Sequence, residues 1–215
     1  MTFADELREF LPADLPHRDD VIVKAARHLD LIEEINQQFN LTRIVSPHDA
    51  AIKHVVDSVM PWRLFKGAGR IADAGSGPGF PGLPLSFVLP ETRFFLLEST
   101  QKKARFLESV VRRLELENVE VHPVRAEDWL AKHRVDMVVS RAVAPLLRGV
   151  PLFANALKGG ARIVFYKGPD VAAEIEEAAP ETNKRQIRVR VIERYGLPDD
   201  LGNRTVVEMA RIKGE

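Results

Sequence analysis

Between Asp73 and Gly82 the chain reads DAGSGPGFPG, with four glycines and two prolines in ten residues. Glycine lacks the Cβ that would hold a ligand away from the backbone. The prolines stiffen the loop, and Pro81 is suited to open a following helix. In an open parallel sheet a ligand binds beyond the carboxyl ends of the strands, where strand order reverses, and this turn follows a short apolar strand. A tight turn with no ligand is the bland alternative. The spacing Gly75-x-Gly77-x-Gly79 sets Phe80 where the dinucleotide fingerprint requires its third glycine. Pyrophosphate on a helix N-terminus is thereby disfavoured, and a nucleoside without phosphates is favoured. Glu98, about 20 residues on at the end of a second strand, can accept from both ribose hydroxyls. After a third strand, Ala126-Glu127-Asp128 offers a main-chain N–H and a carboxylate to an adenine edge, although Glu127 alone reads equally well as an acid at a helix N-terminus. Glycine turn, acid and small-acidic pair, in that order, describe a pocket for S-adenosylmethionine.

The loop after a fourth strand, Ser140-Arg141-Ala142-Val143, would face the transferred group and its acceptor. It lacks the Asn/Asp-Pro-Pro-aromatic stretch common in enzymes that methylate exocyclic amines. Methylation at C5 of cytosine needs a cysteine nucleophile, and the chain has no cysteine. Ribose O-methylation needs a base for the hydroxyl. An acceptor that already presents a lone pair, such as a purine ring nitrogen, needs no general base, only in-line alignment with water excluded. No catalytic acid or base is therefore assigned, and no metal. Arg141 is expected to contact a cofactor carboxylate, a phosphate or a guanine edge, with an ion pair to Asp or Glu as the structural alternative. Lys167, ending a fifth strand, is a candidate phosphate or base contact, as are Lys102 and Lys103 near the pocket rim. Arg105, Arg112 and Arg113 follow them on the same helix. A second basic set, Lys184, Arg185, Arg188, Arg190 and Arg194, is a further candidate for RNA contact but reads first as a solvated helix face or exposed strand edge.

These residues need a scaffold to bring them together. The chain has 215 residues, 45% hydrophobic and 29% charged, enough for a real core. Its 31 basic residues balance 31 acidic ones, which excludes a polybasic coat but not a local basic face. Without cysteine there are no disulfides, thiolate metal sites or Fe–S clusters. No apolar run approaches the roughly 20 residues that span a bilayer. The start, MTFADELREF, carries acids where a secretory signal needs basic residues, so a cytoplasmic location is expected.

Residues 1–66 read as a helical cap and 67–215 as the domain that holds the site, packed as one unit. In the cap, Asp19–Phe39 places Val21, Ala25, Ile32, Ile35 and Phe39 on one stripe. Ser46-Pro47 opens another helix, with Ser46 as N-cap, and Pro61 ends it. Strands are then expected at Arg70–Ala74, Arg93–Leu97, Val119–Val124, Val135–Val139 and Ala161–Tyr166. Helices are expected at Gln101–Leu116, Pro145–Leu157 and Asp170–Ala179, the last stopped by Pro180. Ile187–Tyr195 and Arg204–Ile212 read as a closing hairpin. This alternation makes an α/β, Rossmann-like, doubly wound and mostly parallel sheet of the class I S-adenosylmethionine-dependent methyltransferase type.

The ordered motifs resemble those of the bacterial RsmG (GidB) methyltransferases, roughly from Ile35 to Lys167. Asn36-Gln37-Gln38-Phe39-Asn40-Leu41-Thr42 is similar to that family's N-x-x-x-N-L-T segment, and His54-Val55-Val56-Asp57-Ser58 to its His-x-x-Asp-Ser segment. Asp73–Gly82 is similar to its D-x-G-[ST]-G-x-G-[FL]-P-G, and Glu98-Ser99-Thr100-Gln101-Lys102-Lys103 to its acid-Ser-x-x-Lys-[KR] run. Arg125-Ala126-Glu127-Asp128, Ser140-Arg141-Ala142 and Lys167-Gly168 complete the order. The resemblance implies methyl transfer from S-adenosylmethionine to N7 of one guanine in 16S ribosomal RNA, with the small ribosomal subunit or its precursor as partner. It implies cofactor contacts at Gly75, Phe80, Ala126, Glu127 and Arg141, joined by Gly77, Glu98, Ser99 and Thr100. Asn40 and His54 are expected either to buttress the cap or to touch RNA, and a monomer is expected. Three other functions stand beside this one: a small-molecule methyltransferase, a silent nucleotide-binding module and, last, an NAD-dependent dehydrogenase.

Overall fold

The computed structural model describes residues 1–37, 40–44, 46–141 and 144–212. The first helix, α1 (Phe3–Phe10), starts from a reciprocal cap: Thr2 Oγ1 accepts from the Asp5 N–H and the Asp5 carboxylate accepts from the Thr2 N–H. The second, α2 (Arg18–Asn36), buries Val21, Ala25, His28, Leu29 and Ile32 on one side. It ends before the expected limit, and Phe39 lies outside the described residues. Asn36 instead organises the exit: Oδ1 accepts from the N–H groups of Leu41 and Thr42, and Nδ2 donates to the Thr42 carbonyl.

Ser46 caps the next helix as its type suggests, its Oγ accepting from the Asp49 N–H at 3.2 Å with Pro47 in the first turn. That helix is not uniform. It runs as α3 (Pro47–Ala50), a π-helical segment (Ala51–Val56) and α4 (Asp57–Val59), followed after Pro61 by a 3-10 turn (Trp62–Phe65). A π-helical insertion shifts the angular position of every residue beyond it. Here it lies between Asp49 and Asp57 and carries Lys53 and His54.

The sheet has β1 (Arg70–Ala74), β2 (Arg93–Leu97), β3 (Val119–His122), β4 (Met137–Arg141) and β5 (Arg162–Lys167) in parallel. A hairpin of β6 (Ile187–Gly196) and β7 (Asn203–Arg211) closes it, with β7 antiparallel to β5. The strand order is β3-β2-β1-β4-β5-β7-β6. The chain moves outward from β1 to β3, then returns to place β4 on the other side of β1. Strand order therefore reverses at the end of β1, where the glycine turn lies. The remaining helices are α5 (Gly82–Val88), α6 (Gln101–Arg113), α7 (Ala126–Leu130), α8 (Leu146–Leu152), α9 (Ala154–Lys158) and α10 (Ala172–Lys184).

Several boundaries differ from the sequence expectation. The helix expected at Pro145–Leu157 is two helices broken at Phe153, with Pro151 in the last turn of α8. The expected stop at Pro180 is wrong: α10 runs through it to Lys184. Tertiary packing outweighs the lost N–H there, since Ala178 and Thr182 are buried and Thr182 Oγ1 donates to the carbonyls of Ala178 and Ala179. The fourth strand begins at Met137 and not Val135; just before it, the Asp136 carboxylate accepts from the N–H groups of Gly69 and Arg70 at the foot of β1. The third strand stops at His122, and α6 at Arg113.

Two apolar clusters cover the two sheet faces. One joins the cap residues Leu7, Leu29, Val55 and Phe65 to Ile71, Leu96, Val164 and Val206. The other packs Ala72, Phe95, Val138 and Ile163 against α8, α9 and α10. The continuous apolar run of β2, and the burial of β1 at every position after the first, follow from this two-sided cover. Among the described residues no helix is long and apolar enough to cross a membrane.

Candidate active site

The turn after β1 is built from its own backbone. Gly75, Gly77 and Gly79 all have positive φ (71°, 57° and 110°). At Gly75 the left-handed conformation reverses the chain directly above the strand, and its N–H donates to the Leu97 carbonyl at 2.8 Å, tying the turn to β2. Gly82 is required for a different reason: a Cβ there would lie 2.6 Å from Asp73 Oδ2 and from Leu96. That space is used by the Gly82 N–H, which donates to Asp73 Oδ2 at 3.0 Å.

Two buried carboxylates frame the turn. Glu98 lies at the end of β2. Its Oε2 accepts from the Gly77 N–H at 2.9 Å and its Oε1 from the Thr100 N–H at 2.7 Å. It therefore latches the glycine turn to the loop that enters α6, a role its sequence position did not reveal. Each oxygen keeps a further lone pair for a ligand hydroxyl. Asp73 is fully buried, and its Oδ1 has no partner among the described residues. Burial pushes its carboxyl up to about 7, against the opposing pull of the Gly82 N–H and the Arg141 charge.

Above the turn, Phe80 is clamped by the cap. Its ring stacks on His54 at 4.5 Å and 10° and lies against His28 at 4.9 Å. His28 Nε2 donates to the Pro78 carbonyl at 2.8 Å, so α2 grips the loop directly. Burial holds His28 neutral, with its pKa lowered to about 4. His54, close to Thr42 Oγ1 at 3.1 Å, is lowered to about 3 by burial and then by the Arg141 cation. His54 thus buttresses the cap, whereas Asn40 is exposed.

A cleft of about 280 Å³ opens beyond the strand ends, lined by Gly75, Leu97, Ser99, Ala126, Glu127 and Arg148 among others. The structure thus brings Gly75, Ser99, Ala126 and Glu127 together; Glu98, Gly77 and Thr100 are bonded to one another beside this cleft and are not in its lining. Phe80 is not in this lining; its ring belongs to the cap contact. Arg148, on α8, is a lining residue that no motif singles out. The Gly75 conformation leaves the backbone bare where a ligand approaches, and the carboxylates of Glu98 and Glu127 can receive hydroxyl and amine donors. The donor set fits the ribose and adenine of S-adenosylmethionine.

Arg141 ends β4 and turns toward the cap. Its Nη1 donates to the Lys53 carbonyl at 3.0 Å and to Asp57 Oδ2 at 3.2 Å, and the guanidinium lies 5.4 Å from the centre of the Phe80 ring. Asp57, 1% exposed, also receives Arg204 Nε at 3.2 Å and the Tyr195 hydroxyl at 3.0 Å. Lys167, the neighbouring strand end, donates to the Ala144 carbonyl and to Glu174, each at 2.8 Å. Lys102 and Lys103 stand on the first turn of α6, Lys102 exposed and Lys103 half-buried. Ala142 and Val143 lie outside the described residues.

A glycine cradle at the switch point of a 3-2-1-4-5-7-6 sheet defines a Rossmann-like class I methyltransferase. Solved structures agree on that fold. An O-methyltransferase from Bacillus cereus in complex with SAH superposes with a TM-score of 0.59 at 18% identity, covering 86% of this chain and 91% of that one. A SAM-dependent O-methyltransferase from Thermotoga maritima gives 0.55 at 21% identity over 86% and 72%. Sequence comparison is more specific. Residues 22–200 match the family described as GidB, rRNA small subunit methyltransferase G. A ribosomal RNA small subunit methyltransferase G from Solibacter usitatus is 68% identical over 209 residues, 97% of this chain and 100% of that protein. One from Thermotoga neapolitana is 38% identical over 82% and 77% of the two chains. The chain belongs to the rRNA small subunit methyltransferase G family.

Proposed function

We propose that this chain transfers a methyl group from S-adenosylmethionine to N7 of a guanine in 16S ribosomal RNA, in the cytoplasm, acting on the small ribosomal subunit or its precursor. The observation that carries the proposal is the convergence of Gly75, Ser99, Ala126 and Glu127 on one cleft at the switch point, in a chain of this family. When bound, S-adenosylmethionine supplies the electrophilic methyl group.

The chain's own residues bind and orient. Glu98 holds the ribose hydroxyls with the lone pairs left free by Gly77 and Thr100. Glu127 and the Ala126 N–H read the adenine edge. Arg141, with Lys167 beside it, faces the acceptor, where a guanidinium can reach a phosphate or the O6 of guanine. N7 of guanine carries a lone pair, so no side chain has to remove a proton before attack, and the work is alignment and exclusion of water.

The test is transfer from labelled S-adenosylmethionine to small subunits and to protein-free 16S RNA, both from a strain lacking its own such enzyme, with the modified base mapped. Label at N7 of a single guanine is the expected result. Cofactor binding without label on either RNA overturns the assignment and favours a small-molecule acceptor.

A further inference from the structure

A larger cleft, about 750 Å³, opens at the other end of the sheet, where β5 begins and β7 ends. Register explains part of its position, while Arg211, paired with Ile187, and Lys158 of α9 come from the opposite sheet face, so the cleft wraps the amino end of β5. Arg188 pairs with Ala210, and Ile163 with Met209, so Arg162 stands in the same row as Ala210 and Arg188. Antiparallel partners, and residues two apart on a strand, share a face. This row is therefore on the face of Val164 and Val206, which the cap covers near the carboxyl end of β5. The cap stops short of the amino end, and none of its residues lines the cleft.

The lining is cationic in a chain of zero net charge. Glu208, 3% exposed, is the one acid in it among the described residues, and it is already held by Arg162 Nε at 2.5 Å and Arg190 Nη2 at 2.9 Å. Lys158, Arg188 and Arg211 also line the cleft, and none of them has an ion-pair partner among the described residues. A neighbouring cleft of about 320 Å³ shares Lys158 and Arg211. Charges on an edge strand discourage pairing with a foreign strand, which would account for Arg188 alone. It accounts neither for Lys158 on α9 and Arg211 at the end of β7 nor for their convergence on one concavity.

We infer that this cleft is a second contact for the phosphate backbone of the RNA substrate, opposite the methyl-transfer face. The inference rests on the RNA function proposed above. The two contacts are separated by the length of β5, about 20 Å at ~3.3 Å per residue. Separated contacts of this kind let a chain with few phosphate-binding residues select a shape over a sequence.

The test compares the full chain with Arg188→Glu/Arg211→Glu, which leaves Arg162 and Arg190 to neutralise Glu208. Transfer to small ribosomal subunits is followed across RNA and salt concentration. The expected result is a KM for the subunit raised at least tenfold, with kcat and S-adenosylmethionine affinity within twofold. The dependence of log kcat/KM on log salt should become shallower by about 1.5, the release expected for two lost phosphate contacts. Arg188→Lys/Arg211→Lys should restore KM. Unchanged KM and salt slope would overturn the inference. If the charge-reversed chain melts early, Arg188→Gln/Arg211→Gln is judged by the same criteria. Absence of transfer by the unaltered chain would instead remove the RNA function, and this inference with it.

Discussion

The two halves of the sheet's carboxyl edge are held by different means. On the β1–β2 side the turn is fastened locally: Gly75 to Leu97, Gly77 and Thr100 to Glu98, and Gly82 to Asp73. On the β4–β5 side two adjacent strands each end in a cation whose carboxylate partner comes from elsewhere, Asp57 of α4 for Arg141 and Glu174 of α10 for Lys167. The first half is a preformed cradle whose backbone N–H groups are held by one main-chain carbonyl and two buried carboxylates close to it in sequence. The second is a pair of cations held by carboxylates from other elements. Under the function proposed above, an RNA phosphate or base edge would compete for the same donors, which would pair a fixed cofactor side with an adjustable acceptor side.

The largest effect expected on the cradle is from Gly75→Val. A branched side chain at φ 71° carries strain of about 1–3 kcal/mol and fills the approach to the cleft. Titration calorimetry should show S-adenosylmethionine affinity reduced beyond detection while the melting temperature falls only a few degrees; unchanged affinity would move the cofactor away from this turn. On the adjustable side, Arg141→Ala should lower kcat/KM by about 10–100-fold, the value of one charge-assisted bond. Its melting temperature should hold, because Asp57 keeps Arg204 and Tyr195. A variant that mostly unfolds would make Arg141 a fastener of the cap and erase the contrast between the halves.

The cap and the cradle also tilt stability in opposite directions with pH. His28 and His54 are held neutral down to about 4 and about 3. Unfolded, they take up protons near pH 6.5, so stability rises as pH increases from about 4 to 6.5. Asp73, pushed up to about 7, keeps in the folded chain a proton that the unfolded chain has already released, so its contribution is lost as pH rises toward 7. Two histidines outweigh one aspartate below 6.5. Denaturant unfolding should therefore show stability rising from about pH 4 to 6.5 and levelling near pH 7, and Asp73→Asn should steepen that rise. The smallest effect is expected from Phe80→Leu, about 1 kcal/mol of stability from the lost ring stacking, with cofactor affinity within threefold. A large loss of affinity there would show that the cap shapes the cradle after all.

Local chemistry makes part of this legible in the sequence. Strand β2 lies where an unbroken apolar run places it, and β1 ends where the glycine turn begins. Ser46-Pro47 announces its helix by cap chemistry alone. The features that sequence does not reveal depend on contacts distant in the chain. Pro180 continues a helix because α10 is packed, and the Asp136 carboxylate, just before β4, faces the foot of β1. Position alone shows only that a cation, Arg141, follows a buried strand. That its partner is Asp57 depends on a helix 84 residues earlier. The second basic set reads as a strand edge in sequence; in space Lys158 and Arg211, from other elements, join part of it in one concavity.

Asp57 sets an order on the making of the molecule. Its partners Tyr195 and Arg204 follow it by 138 and 147 residues. During synthesis all five parallel strands emerge first, and the cap carboxylate waits for a hairpin whose last strand must slide between β5 and β6. Closing so long a loop is slow, and until it closes Asp57 relies on Arg141 of β4. A chain stopped short of β7 therefore carries the whole glycine turn yet leaves this buried carboxylate without Arg204. Such a product is expected to be cleared by proteolysis and not to persist as a competitor for the cofactor.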